Sequence, residues 1–293
     1  MELSWFMKLR IAAVAAVGVI LVGIFAKWMA APSGSVSDIN YGGAAALVIL
    51  AFLAGLIGYF VSWPYGRQIG ILAAPFGLTV WAISADSMAS LMQFRPTVAQ
   101  RQELLAQIKW EPIFWLVVVA AGFAGVLLAQ KIHPCPGLKQ EQEKSGSKLT
   151  DYFNGLVAFV GSALIAHFCI RIFAQDVEVL DSRFGSVVAQ PAAGQIAFAV
   201  LVSFGLAAFV VKKFLDADYF WPILASALVT AFAASMYARQ DDLQYIIRTW
   251  PAAFFSNSVV CVLPVQMVAF GTLGSVAGYW LAIRYDYWRK HET

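Results

Sequence analysis

The sequence predicts an all-α polytopic membrane protein of about eight transmembrane helices. Two tandem four-helix halves, related by a pseudo-two-fold axis along the membrane normal, are the expected plan. Three observations lead there. The 293 residues are 60% hydrophobic and only 13% charged, and mean hydropathy is +0.72, against about 45–50% apolar and 25% charged in soluble domains. Eight apolar stretches are long enough to span a bilayer. Finally, one short pattern is written twice, 139 residues apart.

A hydrocarbon core about 30 Å thick requires about 20 mostly apolar residues in helix. The stretches that qualify are roughly 11–31, 43–63, 68–90, 113–131, 152–174, 195–213, 220–238 and 258–283. None has the period-two alternation of a membrane barrel. The first run, after Lys8 and Arg10 and before Lys27, has features of a signal peptide. Its length favours an uncleaved first span.

Lysines and arginines orient the chain. With eight spans and a cytoplasmic N-terminus, twelve basic residues fall inside and eight outside. Both termini are therefore expected in the cytoplasm, and the bacterial inner membrane is the expected location. Trp5, Trp28, Trp63, Trp110, Trp221, Trp250 and Trp288 fall near span ends, as interfacial anchors do.

The repeated pattern is Glu103-Leu104, three residues, Ile108-Lys109, two residues, Pro112. Its second copy is Asp242-Leu243, three residues, Ile247-Arg248, two residues, Pro251. Each copy lies in the last outer loop of a four-span set. Each carries an apolar stripe at helical spacing, with an acidic residue leading and a basic one trailing, which suits a helix dipole. The reading is a short interfacial helix that turns into the next span, repeated by duplication. The halves are then 1–133 and 150–293, joined by a cytoplasmic linker over 134–149, rich in Pro, Gly, Lys, Glu and Ser.

Ionisable side chains inside spans are the candidates for function. His167 and Arg171 share a helix face four residues apart. Asp176, Glu178, Asp86, Asp241 and Asp242 are expected at the same outer level, so that His167, Arg171, Asp86, Asp176 and Asp242 line an outward vestibule. The bland alternative has Arg171 snorkelling to the interface and His167 bonding a neighbouring helix. Pro264 and Gln266 are candidate span-interior groups, where a proline frees carbonyls and a polar side chain sits at depth. Pro75 interrupts the third span in the same way.

No metal and no cofactor is expected: the three histidines, His133, His167 and His291, fall on opposite sides of the membrane, and His133-Pro-Cys135 lacks partners at zinc spacing. No catalytic nucleophile, metalloprotease or phosphate-loop motif is present. The odd count of three cysteines builds no disulfide framework. Nothing in the charge pattern suits nucleic acid. The expected partners are the lipid bilayer and either further copies of the chain or other membrane subunits. Small-residue faces, above all Gly274-x-x-x-Gly278, allow close helix approach. Three functions remain: a small-solute or ion transporter, a non-catalytic subunit or scaffold, and a lipid-acting enzyme that would need the outer acids to converge.

Overall fold

The computed structural model describes residues 5–30, 39–134 and 148–291. Seven helices are long and apolar enough to cross a membrane: Trp5–Ala30, Tyr41–Val61, Val98–Ile132, Tyr152–Phe173, Ala193–Leu215, Phe220–Tyr237 and Pro264–Lys290. The protein is a multi-pass helical membrane protein. Contacts group it into two compact units, Met1–Ser84 with Phe114–Phe153, and Ala85–Ile113 with Asn154–Thr293. Residues 135–147 of the expected linker lie outside the described residues.

The first unit begins with α1 (Trp5–Ala30) and α2 (Tyr41–Val61). The stretch Val19–Phe25 of α1 is a π-helix, and the amide of Ala26 reaches back to the Leu21 carbonyl. The indole N–H of Trp81 donates to the Val22 carbonyl at 2.7 Å, so a polar group at the π stretch is satisfied without water.

The expected span 68–90 is not one long helix. It divides into α3 (Gly66–Gly70) and α4 (Ala73–Ser84). Beyond Ser84 the chain leaves the helix, and the Ser87 side chain caps α5 (Met88–Gln93) by accepting from the Ser90 amide at 3.1 Å. Pro75 lies in the first turn of α4, where its missing N–H costs nothing, rather than interrupting a span. α4 buries one side, including Leu78 and Trp81, while its end at Ile83 and Ser84 is exposed, and it runs alongside α1 in the same direction. A Cβ on Gly18 would lie 1.8 Å from the Ala73 carbonyl oxygen, and one on Gly23 would lie 2.6 Å from Val80. Further back, the Arg10 guanidinium sits 5.8 Å over the Tyr65 ring.

The second unit holds both copies of the repeated pattern. α6 (Val98–Ile108) buries Leu104, Leu105 and Ile108. It is followed directly by α7 (Glu111–Ile132), whose later residues belong to the first unit, and by α8 (Lys148–Phe173). Then come strands β1 (Glu178–Asp181) and β2 (Gly185–Ala189), the helices α9 (Ala193–Leu215), α10 (Phe220–Tyr237) and α11 (Gln240–Thr249), strand β3 (Phe254–Phe255) and α12 (Pro264–His291). The three strands form a small antiparallel sheet in the order β1-β2-β3, an addition to the all-α expectation.

The copies are both helices, but they start differently. Thr97 and Gln100 form a reciprocal capping box that starts α6 five residues before Glu103. Glu103 is therefore mid-helix, and only Asp241 and Asp242 of α11 sit in a first turn. Their downstream connections differ too. Pro112 stands in the first turn of α7, whereas Pro251 leads through β3 and a 3-10 turn, Ser258–Cys261, before α12 begins.

α9 and α12 form an extensive helix pair. A Cβ on Gly274 would fall 2.2 Å from the Leu201 carbonyl oxygen, and one on Gly278 would fall 2.0 Å from that of Gly205. The advance from 201 to 205 matches that from 274 to 278, so the helices run parallel in backbone contact. The small-residue face serves internal packing.

Candidate functional site

The chain from Val177 to Gln190 sets two short runs rich in β-branched residues, 177–180 and 187–189, on either side of the turn Asp181-Ser182-Arg183-Phe184-Gly185. Asp181 pairs with Gly185 across the hairpin, and Gly185 takes φ +76, a left-handed conformation that suits glycine in a three-residue hairpin loop. Asp181 Oδ1 accepts the backbone amides of Arg183 and Phe184, both at 2.8 Å. Its Oδ2 accepts the Trp250 indole N–H at 2.7 Å and the Tyr245 hydroxyl at 2.9 Å. One carboxylate thus fixes its own turn and ties it to α11 and the residue after it. Desolvation alone would raise this carboxyl. Hydrogen bonds from the Phe184 amide, the Trp250 indole, the Arg183 amide and the Tyr245 hydroxyl outweigh that and draw its pKa down to about 2.

Arg183, at the hairpin tip, closes the arrangement. Its Nη2 pairs with Asp242 Oδ1 at 2.8 Å, and its guanidinium lies 5.4 Å from the Tyr245 ring centre and 5.8 Å from that of Phe184. The result is a folded cap on the second unit. Arg183, Asp241, Gln244, Tyr245, Arg248 and Thr249 line an open recess on it.

Of the residues expected to line a vestibule, Asp242 is spent on Arg183, while Asp86, Arg171 and Asp176 are exposed. His167 is half-buried, its ring edge-on to Phe232 with centroids 5.6 Å apart, and its Nδ1 is enclosed without a hydrogen-bond partner among the described residues. No ion pair joins His167 or Arg171 to these acids among the described residues. Pro264 opens α12 instead of kinking a span, so the helix begins six residues later than the expected 258. Gln266 turns back to accept the Leu263 amide at 3.1 Å, the helix-start cap of a residue two positions beyond Pro264.

Other expected groups are also placed. His133 packs its ring edge-on against Trp63, centroids 4.4 Å apart. Cys261 is buried, and burial pushes its thiol pKa up. Among the described residues, no three His, Cys, Asp or Glu side chains gather closely enough to hold a metal ion.

The sequence reading passed over Asp181. The available signal was two short valine-rich runs around a Gly-closed turn, with an Asp opening it, which is an Asx-turn pattern. No protein-family model, curated protein or solved structure matches the chain.

Proposed function

We propose that this protein is a non-catalytic membrane subunit that presents its cap to another membrane protein. The observation that carries the reading is the Asp181 cluster. It stiffens a hairpin and a helix from distant parts of the sequence into one surface, with Arg183, Asp241, Gln244 and Arg248 on its open side. Rigid elements carrying mixed charge suit a specific, polar docking surface. The test is a photo-crosslinking residue at Gln244 in native membranes, with Leu281 as a lipid-facing control. A discrete heavier adduct from position 244 is expected, lost in Arg183→Ala. A uniformly monomeric band at position 244 counts against the reading.

Eight crossings remain the topology we favour. Residues 66–84 follow one helical path broken only at Ile71-Leu72. At 1.5 Å per residue that path is about 28 Å long. Its parallel alignment with α1, from Arg10–Tyr65 to Gly23–Val80, supports a crossing in the direction of α1. Both termini then share a side, the cytoplasmic one by the basic-residue count. Duplication keeps one sign in its favour: α6 lies beside the α10–α11 junction, with Gln102 Nε2 donating to the Ala238 carbonyl at 3.2 Å.

A second reading, solute or ion transport, rests on five enclosed polar atoms in the spans of the second unit that have no partner among the described residues. They are Ser162 Oγ, His167 Nδ1, Ser203 Oγ, Thr272 Oγ1 and, near the end of α12, Arg284 Nε. Buried polar atoms of this kind are paired in most proteins, and in spans they mark paths for ions or solutes. Liposomes holding the protein would then pass a small solute, with flux reduced in His167→Ala and Thr272→Val. Equal flux from empty and loaded liposomes discards this reading.

A further inference from the structure

Arg101 is 5% exposed. Its Nε donates to the Arg95 carbonyl at 2.9 Å. Among the described residues its two terminal nitrogens make no hydrogen bond, and no carboxylate pairs with it. A nearly enclosed guanidinium without a counter-charge is costly, because it keeps little contact with solvent and no carboxylate offsets the water it has lost. Natural proteins keep such a group where an anion completes it.

The surroundings fit an anion. Tyr237 is 2% exposed. Its phenol is close enough to Arg101 to interact electrostatically, yet no hydrogen bond joins them. Arg95 spends Nη1 on the Leu91 carbonyl at 3.2 Å, and among the described residues Arg239 hydrogen-bonds only the Met236 sulfur, at 3.4 Å. The Gln102–Ala238 hydrogen bond brings these arginines onto one patch, where the turn before α6 meets the start of α11. Nearby acids are engaged or displaced: Asp242 pairs with Arg183, Asp241 faces the recess beside Arg248, and Glu103 lies exposed on α6.

We propose that Arg101, faced by Tyr237 and flanked by Arg95 and Arg239, is an anion site that takes a phosphate group. The planar fork of a guanidinium matches two phosphate oxygens, and the tyrosine hydroxyl supplies a further donor. Because α6 runs directly into a span, the site sits at a helix end, where lipid headgroups lie. A phospholipid headgroup and free phosphate share this chemistry.

The test uses the full chain in a non-ionic detergent. Thermal unfolding is followed while inorganic phosphate is titrated, and separately in micelles containing phosphatidylglycerol or a glucosyl diacylglycerol that lacks phosphate. A rise in melting temperature with phosphatidylglycerol, absent with the glycolipid, assigns the site to a headgroup. A rise with inorganic phosphate assigns it to the free anion. In either case Arg101→Met abolishes the response and Arg101→Lys weakens it. Arg67→Ala, at an exposed arginine of α3, leaves it intact. If Arg101→Met does not fold, the double variant Arg95→Gln with Arg239→Gln serves instead, with apparent affinity at least about tenfold weaker, as expected for losing charge-assisted contacts. No response to either probe, or an undiminished response in these variants, overturns the site.

Discussion

Asp181 and Trp250 are 69 residues apart in the chain, and the indole N–H of Trp250 donates to the Asp181 carboxylate at 2.7 Å. This bond joins a hairpin to the end of α11. Replacing Asp181 by Ala removes the acceptor for two side chains and two turn amides at once. Residues 178–189 and 240–250 should then exchange amide hydrogens several-fold faster, while the protection of α9 and α12 stays as in the wild type. Trp250→Phe should give a smaller change in the same segments, since one of four bonds is lost. Unchanged exchange in Asp181→Ala would mean that packing alone holds the cap.

The same carboxylate sets a pH dependence. Its pKa is lowered in the folded cap from 3.8 to about 2. A depressed carboxyl contributes stability that is fully present above the unfolded value and is lost as pH falls through the folded one. Protection of the Arg183 and Phe184 amides should therefore be flat above about pH 4 and decline between about pH 4 and pH 2. Asp181→Asn should remove that decline, because the amide does not titrate in this window. A decline that persists in Asp181→Asn would assign it to another group.

The sequence made the spans legible and left the cap obscure, for physical reasons. A helix that crosses hydrocarbon needs a long apolar run, and Tyr41–Val61, Ala193–Leu215 and Phe220–Tyr237 lie within three residues of their expected limits. The run over 68–90 misleads because apolarity does not report helix ends, and Ser87 caps a new helix inside it. Pro264 looked like a mid-span kink, and Gln266, which is indeed buried, like a polar group within that span. Together they are a helix start, which hydropathy alone does not separate from a mid-span break. The outer acids matched in expected depth, but depth says nothing of direction around a helix axis. Asp242 meets Arg183, a residue to which the sequence reading gave only a side of the membrane. Arg101 was counted there as one more outer charge, although it is buried.

The α9–α12 pair allows a packing test with an internal control. A methyl group at position 278 would meet backbone, the Gly205 carbonyl oxygen at 2.0 Å, which no side-chain rotation relieves. Gly278→Ala should lower stability in detergent by about 1–3 kcal/mol, as overpacking does. At Gly161, also within a helix, no described atom beyond the helix's own local backbone and the adjacent residues lies within 4 Å of an added Cβ. Gly161→Ala should be neutral or stabilise by up to about 1 kcal/mol through helix propensity. If the two variants melt together, the backbone contact between α9 and α12 is absent in the membrane protein.

The crossing by residues 66–84 decides the topology of everything after it. In a background without native cysteines, a cysteine at Gln68 and another at Asp86 flank this path, and both positions are exposed. With eight crossings, Gln68→Cys reacts with an impermeant maleimide only from the cytoplasmic side, and Asp86→Cys only from outside. The argument is geometric: the path is about 28 Å long and keeps pace with α1, whose apolar window marks it as a span. A cysteine at Leu180, on the exposed hairpin, should follow Asp86→Cys, and one in the 139–148 segment should follow Gln68→Cys. If positions 68 and 86 label from one side, the helical path turns back within the membrane. The seven helices that meet the length criterion would then be the only crossings, and the two termini would lie on opposite sides.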